Sequence, residues 1–291
     1  MNKETEFYNE IAVELSDLGK YESLYHESNY HMPSIATLKV ILNDLKEVLY
    51  IGFFGQNEIK KNTLTSYVNY KLEVIQNLLK EQIIRGICFS CSKEVKDFCE
   101  CEKEAKEKAM QFMKRLPEIK QLLSTDVAAA YNGDPAAKSC GETILCYPSI
   151  EALTYYRIAH ELLILGVELI PRMIMEILHS KTGIDIHPAA KIGEYFFIDH
   201  GTGVVVGETT IIGNNVRLYQ GVTLGAKTFP LDENGKPIKG IERHPVIEDN
   251  VIIYSNATIL GRVRIGENSV IGGNTWIVEN VPSNSKVFNI K

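Results

Sequence analysis

The sequence predicts an α+β chain, in which an N-terminal α-helical domain is followed by a parallel β-helix of hexapeptide repeats. Two observations carry this. An aliphatic residue returns at every sixth position between Asp185 and Ile277, and apolar residues upstream recur instead at helical spacing. The expected divisions are a helical domain over 1–150, bridging helices over 151–184 and the β-helix over 185–291, with a loop at 225–246.

In the helical part, Pro is scarce and Leu, Lys and Glu are frequent. Ser34 after Pro33 is placed to cap a helix through Leu49, and Val68, Leu72, Ile75 and Leu79 form one face of the next. A Lys/Glu-rich helix is expected from about Val95 to Arg115, with Pro117 and a further segment from Leu122 to Ala130 after it. Asn132-Gly133-Asp134-Pro135 signals a turn that exposes the Asp134 carboxylate, although an Asp before Pro is by itself an ordinary turn former. From Ser149 to about Lys181 helical spacing returns, and Pro171 is expected to kink or divide that stretch.

The repeat begins with Ile186, Ile192, Ile198 and Val204, steps by two residues to Val206, Ile212, Leu218 and Leu224, and resumes through Ile247, Ile253, Ile259, Ile265, Ile271 and Ile277. Each unit supplies one short flat side and a corner of a triangular coil. Three units close the coil, so equivalent residues stack about 4.8 Å apart along the axis. Small residues four positions on (Ala190, Thr202, Val216, Val222, Val251, Ala257, Val263, Ser269) fit a narrow corner, and Phe196 and Glu208 break that rule. Gly193, Gly213, Asn214, Asn215, Asn256, Gly266, Asn268 and Asn274 are read as corner residues suited to positive φ. The interruption between Leu224 and Ile247 must leave the prism and return, bringing Arg243 and His244 to its surface.

With 45% hydrophobic residues the chain of 291 can bury a sizeable core, and a net charge of −6 without a basic cluster argues against nucleic acid or an anionic membrane as partner. The longest apolar run, Leu162 to Leu178, is broken by Glu168, Arg172 and Glu176, and the start lacks a signal-peptide core, so a cytoplasmic protein is expected. Cys88, Cys91, Cys99 and Cys101 could hold a structural zinc or be plain reduced thiols.

Chemistry concentrates on the repeat. Fifteen residues separate Asp185 from His200, almost one turn of the prism, so the carboxylate could fix the imidazole and leave its other nitrogen as a base. His187, beside Pro188, reads as structural. A zinc site built from His187, His200 and His244 between subunits is the competing class.

Beyond these readings, DIHPAAKIG from Asp185, IDHGTGVVVGET from Ile198, VTLGA from Val222 and RHPVI from Arg243 resemble serine O-acetyltransferases, as do DPAA at Asp134 and YRIAHELL at Tyr156. The resemblance spans about Asp126 to Ile277. It implies a left-handed β-helix, a homotrimer that can pair into a dimer of trimers, and acetyl transfer from acetyl-CoA to L-serine with no permanently bound cofactor or metal. Residue by residue, His200 would be the base and Asp185 its orienting partner. Asp134 and Asp199 would hold the ammonium and hydroxyl of serine, Arg243 its carboxylate, and His244 would stand beside the reacting centre. Backbone near Gly225, Ala226, Ser255 and Gly273 would meet the pantetheine arm, and Arg262 and Arg264 are candidates for the phosphates on charge alone. L-cysteine is the feedback inhibitor that the resemblance implies. Docking to cysteine synthase is in doubt, because members that dock use a tail ending in Ile, whereas this sequence closes on Phe288-Asn289-Ile290-Lys291. The alternative within enzymes is acetylation of a sugar or xenobiotic hydroxyl on the same prism.

Overall fold

A computed structural model describes residues 3–17, 19, 32–55, 60–90 and 98–288. Helices α1 (Lys3–Ser16), α2 (Ile35–Leu49), α3 (Leu64–Ser90), α4 (Phe98–Gly133), α5 (Cys140–Cys146), α6 (Pro148–Ile164) and α7 (Ile170–Thr182) precede fourteen short strands. Ser34 caps α2 as expected, accepting from the Thr37 amide at 3.2 Å. Ile75 and Leu79 are buried on α3, with Val68 and Leu72 packed against them. The break expected near Pro117 does not occur, since α4 runs through it as one helix of 36 residues. Ala105, Ala109, Phe112, Leu116, Ile119, Leu123, Val127 and Ala130 are buried in unbroken three-and-four spacing across the proline. Several buried side chains at roughly 1.5–3 kcal/mol each outweigh a proline cost of about 3 kcal/mol. Pro171 divides the bridging stretch, sitting in the first turn of α7 after Leu169 at φ 59°.

The strands are β1 (Asp185–Ile186), β2 (Lys191–Ile192), β3 (Phe197–Ile198), β4 (Val205–Val206), β5 (Ile211–Ile212), β6 (Arg217–Leu218), β7 (Thr223–Gly225), β8 (Val246–Ile247), β9 (Ile252–Ile253), β10 (Thr258–Leu260), β11 (Arg264–Ile265), β12 (Val270–Ile271), β13 (Trp276–Ile277) and β14 (Lys286–Val287). They stack into three parallel sheets. The first holds β1-β4-β7-β10-β13, the second β2-β5-β8-β11 and the third β3-β6-β9-β12-β14. This is the left-handed parallel β-helix. Register confirms the two-residue step, because Ile186 pairs with Val206 and Ile198 with Leu218, whereas Val206 pairs with Leu224. The step also removes one apparent violation. Thr210, not Glu208, fills the corner after β4 and is fully buried, while Thr202, placed in a corner by the simpler count, is exposed and Val204 takes its slot.

The corners divide into two physical classes. Asn215, Asn256, Asn268 and Asn274 have the expected positive φ, and Asn250 and Asn284 join them. Asn215 Nδ2 donates to Asn250 Oδ1 at 2.8 Å, making part of a side-chain ladder up the edge. Gly193, Gly213, Gly266 and Asn214 are not left-handed. Those glycines answer to space: a Cβ on Gly213 would lie 2.2 Å from Asp249 Oδ1, and one on Gly266 would lie 2.3 Å from the Ser283 amide. The coil also continues beyond Ile277, since β14 pairs with β12. Asn289, Ile290 and Lys291 lie outside the described residues.

The helices close the open first coil. Arg157 on α6 donates to the carbonyls of Ile192 and Gly193, each at 2.6 Å, and pairs with buried Asp126 on α4 at 3.0 and 3.2 Å. Asp126 Oδ1 in turn accepts from the Phe196 amide at 3.2 Å, and the Tyr156 hydroxyl donates to the Ala190 carbonyl at 2.6 Å. These bonds satisfy backbone groups for which the first coil has no preceding strand. Cys91 lies outside the described residues; Cys101 is buried in the helical core, Cys88 is half-buried and Cys99 exposed.

Candidate active site

The extra two residues of the repeat fall at one corner. The turn from β3 to β4 spans 199–204, whereas the equivalent turns above it span 219–222 and 254–257. Within the longer turn His200, Gly201 and Gly203 all take positive φ, His200 at 58°. A non-glycine residue there stores strain of about 1–3 kcal/mol, which the stacked coils must hold. The imidazole is turned outward as a result, its side chain 71% exposed, with Asp199 Oδ1 3.9 Å from Nε2. The expected hydrogen bond from Asp185 is not among those formed by the described residues. Asp185 begins β1, half-buried, and its amide donates to the Val204 carbonyl at 2.9 Å.

Asp134 reaches the same edge from the end of α4. Gly133 makes this possible, because a Cβ there would lie 2.7 Å from Arg217 Nη2 and 2.8 Å from Phe197 Cδ1. The carboxylate accepts from the Tyr147 hydroxyl and from the Ala136 amide, the latter at 2.8 Å. Those donors, with His200 and Arg217 nearby, hold its pKa below the usual carboxylate value. Asp134, Asp199 and His200 thus form one half-site, two carboxylates beside an open imidazole.

Arg243 and His244 do not join it. They lie at the next edge, where the first sheet turns into the second, and β4 with its flanking residues separates the edges by roughly 10 Å. Thr209 organises this second half-site: its Oγ1 accepts from the amides of Arg243 at 2.9 Å and His244 at 3.1 Å. His244 Nδ1 accepts from the Thr209 amide at 3.0 Å, which leaves the ring proton on Nε2. Glu208 Oε2 holds the Arg243 guanidinium at 2.6 Å. Gly207 is needed for closeness, since a Cβ would lie 2.0 Å from His244 Cδ2. Arg262 donates to the carbonyls of Thr209 and His244 at 2.8 and 3.0 Å, so it clamps the returning loop.

Burial and the adjacent Arg243 push the His244 pKa down to about 4, and burial also lowers those of His187 and His160. The neutral ring is the form that the fold accommodates. Unfolded histidine binds its proton near pH 6.5, so between about 6.5 and 4 the unfolded chain takes up more protons, and stability falls as pH falls. The thermal midpoint should drop across that window, and His244→Gln should flatten the dependence; an unchanged slope in the variant would contradict the assignment.

A family model described as bacterial transferase hexapeptide (six repeats) matches residues 244–278. A serine acetyltransferase of Synechococcus elongatus, named as plasmid-borne, is 49% identical over 265 residues, covering 90% of this chain and 83% of that protein. The chain belongs to the serine acetyltransferase family. A Mycobacterium tuberculosis member is 44% identical over 165 residues, 57% of this chain and 68% of its own. Among solved structures, serine acetyltransferase 1 of Entamoeba histolytica in complex with L-cysteine superposes with a TM-score of 0.75 at 36% identity, covering 95% of this chain and 94% of that one. The soybean enzyme complexed with serine gives 0.56 at 26% identity, over 88% and 98%.

For a serine acetyltransferase, acetyl-CoA is the co-substrate. The residues expected near it are also divided between the edges: Gly225 ends β7 and Ala226 follows it at the loop's base, whereas Ser255 and Gly273 stack above His200 on the other edge. A Cβ on Gly273 would lie 3.0 Å from the Ser255 carbonyl oxygen. Arg264 pairs with Glu248 and Arg262 also with Glu242 at 3.0 Å, so neither is a spare cation. Among the described residues no three His, Cys, Asp or Glu side chains gather as metal ligands, and no helix is long and apolar enough to cross a membrane. Tyr147, Glu208 and Thr209 were not read as functional from the sequence.

Proposed function

We propose that the chain transfers the acetyl group of acetyl-CoA to the hydroxyl of L-serine, giving O-acetyl-L-serine and CoA in the cytoplasm, at a site completed by a second copy of itself. One observation carries the shared site. The carboxylate-and-imidazole half and the guanidinium half lie on different edges of one prism, too far apart for a molecule the size of serine, yet within about two coils of the same height, roughly 10 Å. A trimer whose axis runs along the prism brings one copy's His200 edge to its neighbour's Arg243 edge. Gly225 and Ala226 then face Ser255 and Gly273 across a groove for acetyl-CoA. Pairing of two trimers would use the helical domains.

In that site Asp134 and Asp199 take the ammonium and orient the hydroxyl, and the fork of Arg243 takes the carboxylate. His200 accepts the hydroxyl proton as the oxygen attacks the thioester carbonyl, then returns it to the departing CoA sulfur. The Nε2–H of His244 is available to the oxyanion of the tetrahedral intermediate. Asp185 would orient His200 once the neighbouring edge encloses the ring. Thiol release from acetyl-CoA tests the substrate: it should proceed with L-serine and fail with galactosides, chloramphenicol and homoserine, and equal rates with a galactoside would overturn the reading.

L-cysteine offers the same ammonium and carboxylate, so it should compete with serine. Arg243→Ala should weaken both by about 2–5 kcal/mol, the range for truncating one partner of a desolvated charge pair. Titration of each amino acid into the variant checks this. Loss of serine binding with cysteine binding intact would mean that cysteine acts elsewhere.

A further inference from the structure

A cleft of about 330 Å³ lies on the helical side, lined by α2, α5, α6 and α7 and by no residue of the prism. Tyr50, Phe54 and Tyr147 contribute aromatic walls, and the charged residues lining it are Lys46, Glu151 and Lys181. Both ammoniums converge on the one carboxylate, Lys46 Nζ at 2.8 Å and Lys181 Nζ at 2.6 Å. The cleft therefore carries one uncompensated positive charge. The Lys46 side chain is only 14% exposed, its ammonium 5.1 Å from the Phe54 ring centroid and 5.9 Å from that of Tyr155, whereas Lys181 is 57% exposed at the mouth, so water screens the inner ammonium little and the outer one more. Largely apolar walls with a few convergent polar groups and a volume of this order are the features of a small-molecule site.

We propose that this cleft binds a small monocarboxylate with an apolar or aromatic body of about ten heavy atoms, taking the ~30 Å³ that one water occupies in the liquid as the share of each. Its carboxylate completes the charge array with Lys46 and Lys181, and its body packs on the aromatic walls. The position makes it regulatory. Tyr147 lines the cleft and donates its hydroxyl to Asp134, so a ligand that moves Tyr147 alters the carboxylate expected to hold serine; this coupling rests on the serine-site reading above.

The test is calorimetric titration of the full chain, free of serine and acetyl-CoA, with 3-phenylpropionate and with its neutral amide. The acid should bind at least about tenfold more tightly, as befits a charge-assisted contact, and Lys181→Gln at the exposed mouth should remove most of that advantage without changing affinity for the amide. Equal binding of acid and amide, no binding of either, or an acid affinity unchanged in Lys181→Gln would overturn the site. Serine affinity, titrated with the acid saturating, should shift about fivefold or more in the wild type and not in Lys181→Gln. An unmoved serine affinity alongside tight acid binding would overturn the coupling. Because the first titration contains no substrate, its result is independent of whether serine is the acceptor.

Discussion

His200→Ala is expected to lower turnover with saturating L-serine by about 10²–10⁴-fold, the usual worth of a positioned general base. The ring is exposed, so its removal opens no cavity, and Ala keeps the Cβ that the left-handed corner already tolerates; the variant should fold and assemble close to the wild type. That separates catalysis from stability. Asp185→Asn should cost less, because the two residues share no bond in the isolated chain and Asp185 can only orient the base. Single-turnover acetyl transfer by each variant reads the difference. Near-normal turnover by His200→Ala would remove it as the base.

The second large effect concerns stability. Asp126→Ala should destabilise the chain by about 3–5 kcal/mol, the cost of leaving one member of a buried ion pair alone. Arg157 is 4% exposed and Asp126 fully buried, and the loss also orphans the Phe196 amide. Since Arg157 ties α6 to the carbonyls of Ile192 and Gly193, the damage should centre on the first coil. Denaturant unfolding followed by hydrogen exchange checks this. Loosened amides near Ile192 and Phe196, with the coil around Ile259 unchanged, are expected, and a loss under 1 kcal/mol would refute the role of the pair.

Much of this was legible before the fold was known. A six-residue aliphatic period fixes the coil because every Ile must return to the same column, and the two-residue step survives intact in the pairing of Ile186 with Val206. That step marks the His200 corner, so a break in the repeat coincides with the edge that carries His200. Other features depend on contacts that sequence does not record. Pro117 lies within α4 because residues far along the chain pack on both sides of it. Gly213 and Gly266 are glycines because a neighbouring coil approaches closely, a requirement that a count of positive φ cannot find. Spacing places Asp185 and His200 about one turn of the prism apart, but the left-handed backbone at His200 is a property of the turn that residue spacing does not record. The partner of Asp134 was missed because Tyr147, thirteen residues on, is adjacent only after α5 folds back.

The shared site can be tested by mixing two defective chains. His200→Ala retains the Arg243 edge and Arg243→Ala retains the His200 edge, and each alone should be nearly inactive at a serine concentration well below the weakened KM. Co-expressed in equal amounts and purified as mixed trimers, they should recover about one third of wild-type thiol release from acetyl-CoA, since a cyclic trimer that holds both chains brings two intact edges together at roughly one interface in three. Activity no greater than the average of the two parents, in a preparation shown to be mixed, would place the whole site within one chain.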